Sequence, residues 1–263
     1  MRISAAASLC LGVILFAGCE TETPAHPAAK AGGEDSSKPS AAPAQETEKP
    51  VAAKKTEIGK NVWLETQGKK RRVIVGATIA LREGNFGLEC LMCRKNTKEH
   101  ESILAADADA KEIHAALLIA GGEPGAPAYY DENTRELHPP RGMKIKVLVQ
   151  YEEKGKLHTV RAQDWVMNTR TKKTLAEEWV FAGSKLFADP DGKDKPVYGA
   201  NSDGGFICIY NSPVALLDLP ITNPNKDPEA GREFQPNTQR IPQVGTKVSV
   251  ILEAIPETPK NSK

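Results

Sequence analysis

From Val62 onward the chain is written in short apolar or alternating runs cut by Gly, Pro, Asn and Asp. That punctuation limits the fold more than any other feature, because it is the signature of a mainly antiparallel β domain. The plainest run is Met143, Ile145, Val147, Val149 and Tyr151, which alternate with mostly polar neighbours. A period of two places such side chains on one face of a strand, so this one has a buried side and a wet side. Glu153-Lys154-Gly155 reads as the turn, and residues 157–166 as the returning strand. Further strands are expected at 62–64, 73–81, 88–93, 178–182, 205–210 and 247–254. Phe206-Ile207-Cys208-Ile209-Tyr210 is apolar on both faces, which places it in the middle of a sheet.

One helix interrupts this pattern. Asp109-Ala110-Lys111-Glu112 has the form of a capping box, Ile113, Ala116, Leu117 and Ala120 follow at helical spacing, and Gly121-Gly122 can stop the last turn. Pro124 and Pro127 prevent continuation. The expectation is an α+β fold: a mainly antiparallel β-sheet with one helix, about residues 109–121, packed on it.

The first part of the chain is compositionally different. Met1-Arg2 gives a short positive start, and an almost unbroken apolar run from Ala5 to Ala17 has the length of a signal peptide and is too short to span a bilayer. It ends in Phe16-Ala17-Gly18-Cys19, which resembles the lipobox of bacterial lipoproteins, with Phe16 where Leu is usual. The resemblance implies cleavage before Cys19 and acylation of its thiol, and acyl chains contribute about 0.8 kcal/mol per buried methylene to bilayer binding. Beyond Cys19, Ala, Pro, Glu, Lys, Ser and Thr dominate and large apolar residues are nearly absent, so this stretch cannot offset the entropy of ordering. As a flexible tether it reaches about 35 Å. The expected organisation is a signal peptide over 1–18, a lipidated Cys19 with linker over 19–57, one globular domain over 58–257 and a tail over 258–263. The body would be held in the cell envelope, facing the periplasm or the exterior, with the bilayer as partner through acylated Cys19.

Charge narrows the function. Lys and Arg total 35 against 34 for Asp and Glu, so no basic face for nucleic acid is implied. The dense run Lys69-Lys70-Arg71-Arg72 leads into Val73-Ile74-Val75, which reads as a solvated turn entering a strand, with an anionic-lipid or phosphate contact as the alternative.

Several segments together carry a family resemblance: Lys98-Glu99-His100-Glu101-Ser102, Ile113-His114-Ala115-Ala116-Leu117-Leu118, Pro124-Gly125, Asp164-Trp165, Trp179-Val180-Phe181-Ala182-Gly183-Ser184 and Leu217-Asp218-Leu219-Pro220. As an ordered set over residues 58 to 255 they resemble the YdjY-domain family. The resemblance implies a bacterial envelope domain of unestablished function. Relatives associated with iron–sulphur modules need closely spaced cysteines, which Cys90, Cys93 and the distant Cys208 do not supply.

The candidate site residues follow from chemistry. Lys98, His100 and Glu101 form the sharpest polar cluster, and a His beside a carboxylate can bind a divalent metal or move protons. If the segment is extended, His100 and Glu101 point to opposite faces, so a partner must come from elsewhere. His114, near the start of the helix, is the best one, and His100, His114 and Glu101 or Asp164 would make a reasonable metal site. The bland reading of each His is structural. Asp164 falls on the same strand face as Val160 and Ala162, where it is either buried or caps the turn 168–173. Trp165 and Trp179 suit core packing or ligand stacking, and Lys98 with Trp165 is the candidate binding surface. Cys90-Leu91-Met92-Cys93 has redox or metal spacing, yet residues three apart in a strand diverge. Packing, a disulfide with Cys208, and redox or metal chemistry all stay open.

No serine elbow, Walker loop, dinucleotide fingerprint or metalloprotease motif is present. The leading expectation is a lipid-anchored, non-catalytic domain binding a protein or small-molecule ligand. The alternative is a metal-dependent protein using His100, His114 and a carboxylate.

Overall fold

The computed structural model describes residues 52–84, 87–188, 195–222 and 233–256. The signal peptide, Cys19, the tether as far as residue 51 and the 258–263 tail lie outside them. Among the described residues eleven strands form one sheet. In chain order they are β1 (Lys54–Gly59), β2 (Val62–Gln67), β3 (Lys70–Ile79), β4 (Cys90–Arg94), β5 (Ser102–Ala106), β6 (Lys144–Glu153), β7 (Lys156–Arg161), β8 (Trp179–Phe181), β9 (Gly205–Cys208), β10 (Leu217–Asp218) and β11 (Lys247–Ile255). Helix α1 (Ala110–Ile119) lies between β5 and β6, and the short α2 (Gly199–Asp203) precedes β9. β1 therefore begins inside the stretch read as tether.

The expected hairpin is present as β6 and β7, paired antiparallel from Leu148↔Arg161 to Glu153↔Lys156. Its turn holds Lys154 at φ 52° and Gly155 at φ 73°. Two left-handed residues in succession give a turn whose twist matches that of the flanking strands. β11 runs along the other edge of β6, and β3 along β11.

The global arrangement overturns the α+β expectation. The sheet order is β1-β2-β3-β11-β6-β8-β10-β9-β4-β5, and β5 pairs back onto β3 through Thr78↔Ala105 and Ile79↔Leu104. Eight strands thus close into a β-barrel, and the fold of the described residues is a barrel with one substantial helix, not a helix layered on an open sheet. Strand periodicity reports which face a residue takes but not which strands become neighbours. The two strands that complete the ring also leave little period: β5 is buried at all five positions and β10 has only two residues.

Inward-facing residues fill the barrel. Val73, Val75, Ile145, Val147, Val149, Val250 and Leu252 belong to one core with Trp165, Trp179, Phe181 and Phe206. α1 adds Ala110, Ile113, Ala116 and Leu117 to that same core and touches β1, β2 and β3. Asp109 caps it by accepting from the Lys111 amide at 2.8 Å. The reciprocal half of the capping box does not form. Glu112 turns toward Gly59, where an added Cβ would lie 2.0 Å from its carboxyl carbon. Gly121 at φ 93° and the Gly122 amide bonding Leu117 O at 2.8 Å end the helix.

The thinnest part of the wall is β10, whose parallel join to β9 has a single register pair, Ile207↔Leu217. Trp179 reinforces it: from β8 its indole N–H reaches past β10 to Cys208 O at 2.7 Å, with both residues buried. Trp179→Phe should lower the unfolding free energy by about 2–3 kcal/mol, since the carbonyl loses its donor and a small void opens. Urea unfolding followed by circular dichroism measures this, with the midpoint falling at unchanged slope.

Candidate functional site

The polar cluster arises from an unusual connection. β4 and β5 are parallel neighbours, with Cys90 opposite Ser102 and Cys93 opposite Ala105, yet only residues 95–101 join them. Parallel neighbours ordinarily need a dozen or more linking residues. The short link must run straight back along the strands, and a 3₁₀ turn over Glu99–Glu101 completes the return. This lays Lys98 and Glu101 beside Glu89, whose amide bonds Glu101 O at 2.9 Å.

Lys98 Nζ sits 2.5 Å from Glu89 Oε1 and 3.2 Å from Asp203 Oδ1, with only 19% of its side chain exposed. Burial works against its charge, but Glu89 and Asp203 outweigh that and hold the ammonium protonated. Burial, the hydrogen bond with Glu89 and that neighbour's charge push the Glu101 carboxyl up to about 7. For Glu89 burial also acts upward, yet hydrogen bonds from Glu101 and Lys98 together bring it below its ordinary value. Near pH 7 one proton occupies the Glu89–Glu101 pair about half of the time and resides mostly on Glu101, while the single charge of Lys98 is divided between Glu89 and Asp203. His100 Nε2 lies 3.8 Å from Glu101 Oε1 with its ring largely exposed. The 3₁₀ turn corrects the extended-strand expectation: His100 and Glu101 come to the same side.

The other site residues fall elsewhere. His114 Nδ1 is 2.7 Å from the Tyr198 hydroxyl, which donates to Gly183 O at 3.0 Å. The hydroxyl thus sits between the ring nitrogen and the Gly183 carbonyl and ties His114 to that loop. The ring also meets Phe181 edge-on at 4.8 Å, and burial lowers its pKa against the opposing pull of Gly183. His114 and His100 thus have no partner in common. Among the described residues no three His, Cys, Asp or Glu side chains converge as metal ligands. Asp164 is on a 3₁₀ turn (Ala162–Trp165), not a strand, and pairs with Arg240 at 3.6 Å. The turn at 168–173 is capped by Asn168, whose Oδ1 accepts from Arg170 and Thr171. Trp165 is fully buried against Tyr151, so it packs the core.

All three described cysteines are buried and unlinked. Cys93 faces Ser102 and Thr97, and burial pushes its thiol up to about 11. A thiol held neutral in a strand lacks the nucleophilic character of a redox motif.

Sequence reasoning missed a groove of about 590 Å³ on the outer wall. Its floor is Gly76, Thr78, Ala105 and Ser249, the outward or small residues of β3, β5 and β11, and Trp63 forms one side. A Cβ at Gly76 would meet the Trp63 ring at 3.4 Å, so the glycine keeps the indole face clear. Lys55, Lys95 and Lys247 stand at the rim with Glu99 and Asp107. Asp107 is neutralised by Lys60 at 2.7 Å, and Lys55 lies 4.0 Å over the Trp63 ring. Asn61 closes one end by donating to Asp107 O at 2.9 Å. The available signal was Trp63 and Gly76 on adjacent strands, legible only once register is known.

A family model described as the YdjY domain matches residues 64–253, from β2 through most of β11. No curated protein and no solved structure shows a significant match.

Glu101 supplies a test of the cluster. A carboxyl near 7 in the folded state and near 4.5 when unfolded gives stability that is fully present below 4.5 and lost as pH rises through 7. Glu89 shifts the other way, so its contribution is already complete above 4.5. Glu101→Gln keeps a donor toward Glu89 and cannot ionise. Its melting temperature should therefore rise relative to the parent between pH 5 and pH 8; an unchanged difference would exclude the shared proton.

Proposed function

The chain belongs to the YdjY-domain family, and we propose that it is an exported, lipid-anchored envelope protein whose barrel binds a small anionic ligand without catalysing its conversion. The signal-like run ending at Cys19 supports export and anchoring. The observation that carries the binding reading is the outer groove. The barrel interior is packed with side chains, so a ligand must be met on the outside. The groove combines an indole face, the hydroxyls of Thr78 and Ser249, and three lysines against one uncompensated rim acid, Glu99, which itself accepts from the Asn96 amide at 2.9 Å.

That combination suits an acidic sugar. A ring stacks on an indole, hydroxyls pair with hydroxyls, and a carboxylate seeks lysine. The Lys98 cluster supports a non-catalytic role, because its carboxylates are engaged with Lys98 and each other.

Trp63 is partly exposed whereas Trp165 and Trp179 are fully buried, so a fluorescence change on titration reports on the groove. A uronic-acid disaccharide should alter the emission, and its neutral counterpart should do so far less. Reversing Lys95 and Lys247 to Glu should weaken binding about tenfold or more. Equal response to both sugars, or indifference to the reversal, would sink the reading. The anchor has its own measurement: labelled palmitate should enter the parent chain and not Cys19→Ser.

A further inference from the structure

We propose that Cys90 and Cys208 are a disulfide site that staples β4 to β9 when the chain folds under oxidising conditions. In the cell this rests on the exported reading above; in a test tube it does not.

The two residues are register partners on antiparallel neighbours. Such partners have Cα atoms about 4.5–5.5 Å apart, inside the span of about 4.4–6.8 Å that a disulfide bridges. Their sulphurs already touch at 3.9 Å, and both residues are essentially unexposed. With Ala215 they form a small cluster apart from the main core. Gly205 leaves room beside them: an added Cβ would sit 3.0 Å from Cys208 Sγ and 3.3 Å from Cys90 Sγ. Closing the bond therefore takes a modest rotation of side chains already in contact. Cys93 is the wrong partner, because it lies opposite Gly205 and faces Ser102 and Thr97.

The chemistry balances with a small-molecule disulfide as oxidant. One cysteine thiolate attacks glutathione disulfide, forming a mixed disulfide and releasing one glutathione. The second thiolate then attacks the protein sulphur and displaces the other glutathione. Two thiols lose two protons and two electrons in all, and the oxidant becomes two molecules of thiol. Because both sulphurs are sealed in the finished barrel, exchange precedes closure of the β4–β9 join.

The crosslink spans 118 residues of sequence, and a loop of that order restricts the unfolded chain strongly. The full-length chain, reduced and denatured, is refolded in a glutathione redox buffer and then alkylated under denaturing conditions without reductant. Peptide mass spectrometry should find Cys90 joined to Cys208, two hydrogens lighter than the reduced pair, with Cys93 alkylated. The oxidised protein should melt about 10 °C above the reduced one. Cys93→Ala should keep the link and Cys208→Ser should lose it; comparing oxidised with reduced parent protein serves if the latter variant does not fold. Alkylation of every cysteine, or links through Cys10, Cys19 or Cys93 instead, overturns the proposal. A link in the refolded chain but not in protein taken from cells leaves the site standing and counts against export.

Discussion

Everything in this structure depends on a ring that closes through few bonds. Long antiparallel ladders make up one side of the barrel, where β3, β11 and β6 share many register pairs. The other side is built from β8, β10, β9, β4 and β5, which are short and include two parallel joins. An open edge there would expose unpaired backbone and invite edge-to-edge association. Closure of β5 onto β3 removes that edge, and side chains supply what the short ladders lack. Trp179 spans the two-residue β10 to reach Cys208 O, while Lys98 draws Glu89, at the start of β4, toward Asp203, just before β9. Both contacts sit at the weak side, and both replace ladder hydrogen bonds that two- and four-residue strands cannot make.

This explains why a charged cluster that resembles an acid–base site serves first as architecture. A buried ammonium is tolerable only with carboxylates beside it, and three carboxylates around one lysine are tolerable only if one of them keeps its proton. Glu101 takes that part. Its raised pKa follows from crowding and burial, the same physics that prepares catalytic acids, so a perturbed value here does not by itself signify turnover.

Local order was legible in the sequence wherever period and punctuation agreed. The β6–β7 hairpin stood out because five alternating apolar residues meet a Lys-Gly turn, and α1 because Asp109 and Gly121-Gly122 frame a helical stripe. Closure was not legible. It depends on β5, whose uniform burial erases any alternation, and on β10, too short to have one. The site residues divided in the same way. Lys98, His100 and Glu101 were visible as a sequence cluster, but Glu89 and Asp203, which give the cluster its electrostatics, come from distant segments. Asp164 was misplaced because apolar alternation was carried past Arg161, where the strand had already given way to a 3₁₀ turn.

The groove and the cluster are two faces of one short piece of backbone. Residues 95–101 contribute Lys95 and Glu99 to the groove and Lys98 and Glu101 to the cluster. A link this brief, forced to retrace the strands it joins, has little freedom to move one group without the other. The ion pairs of Lys98 therefore tie down the same short segment that carries Lys95 and Glu99 to the groove rim. On the binding reading proposed above, a segment tied down in this way would lower the cost of binding, because its ordering precedes the ligand. The short return demanded by a parallel join thus leaves a charged edge on the outer wall of the barrel, and the groove is built on that edge.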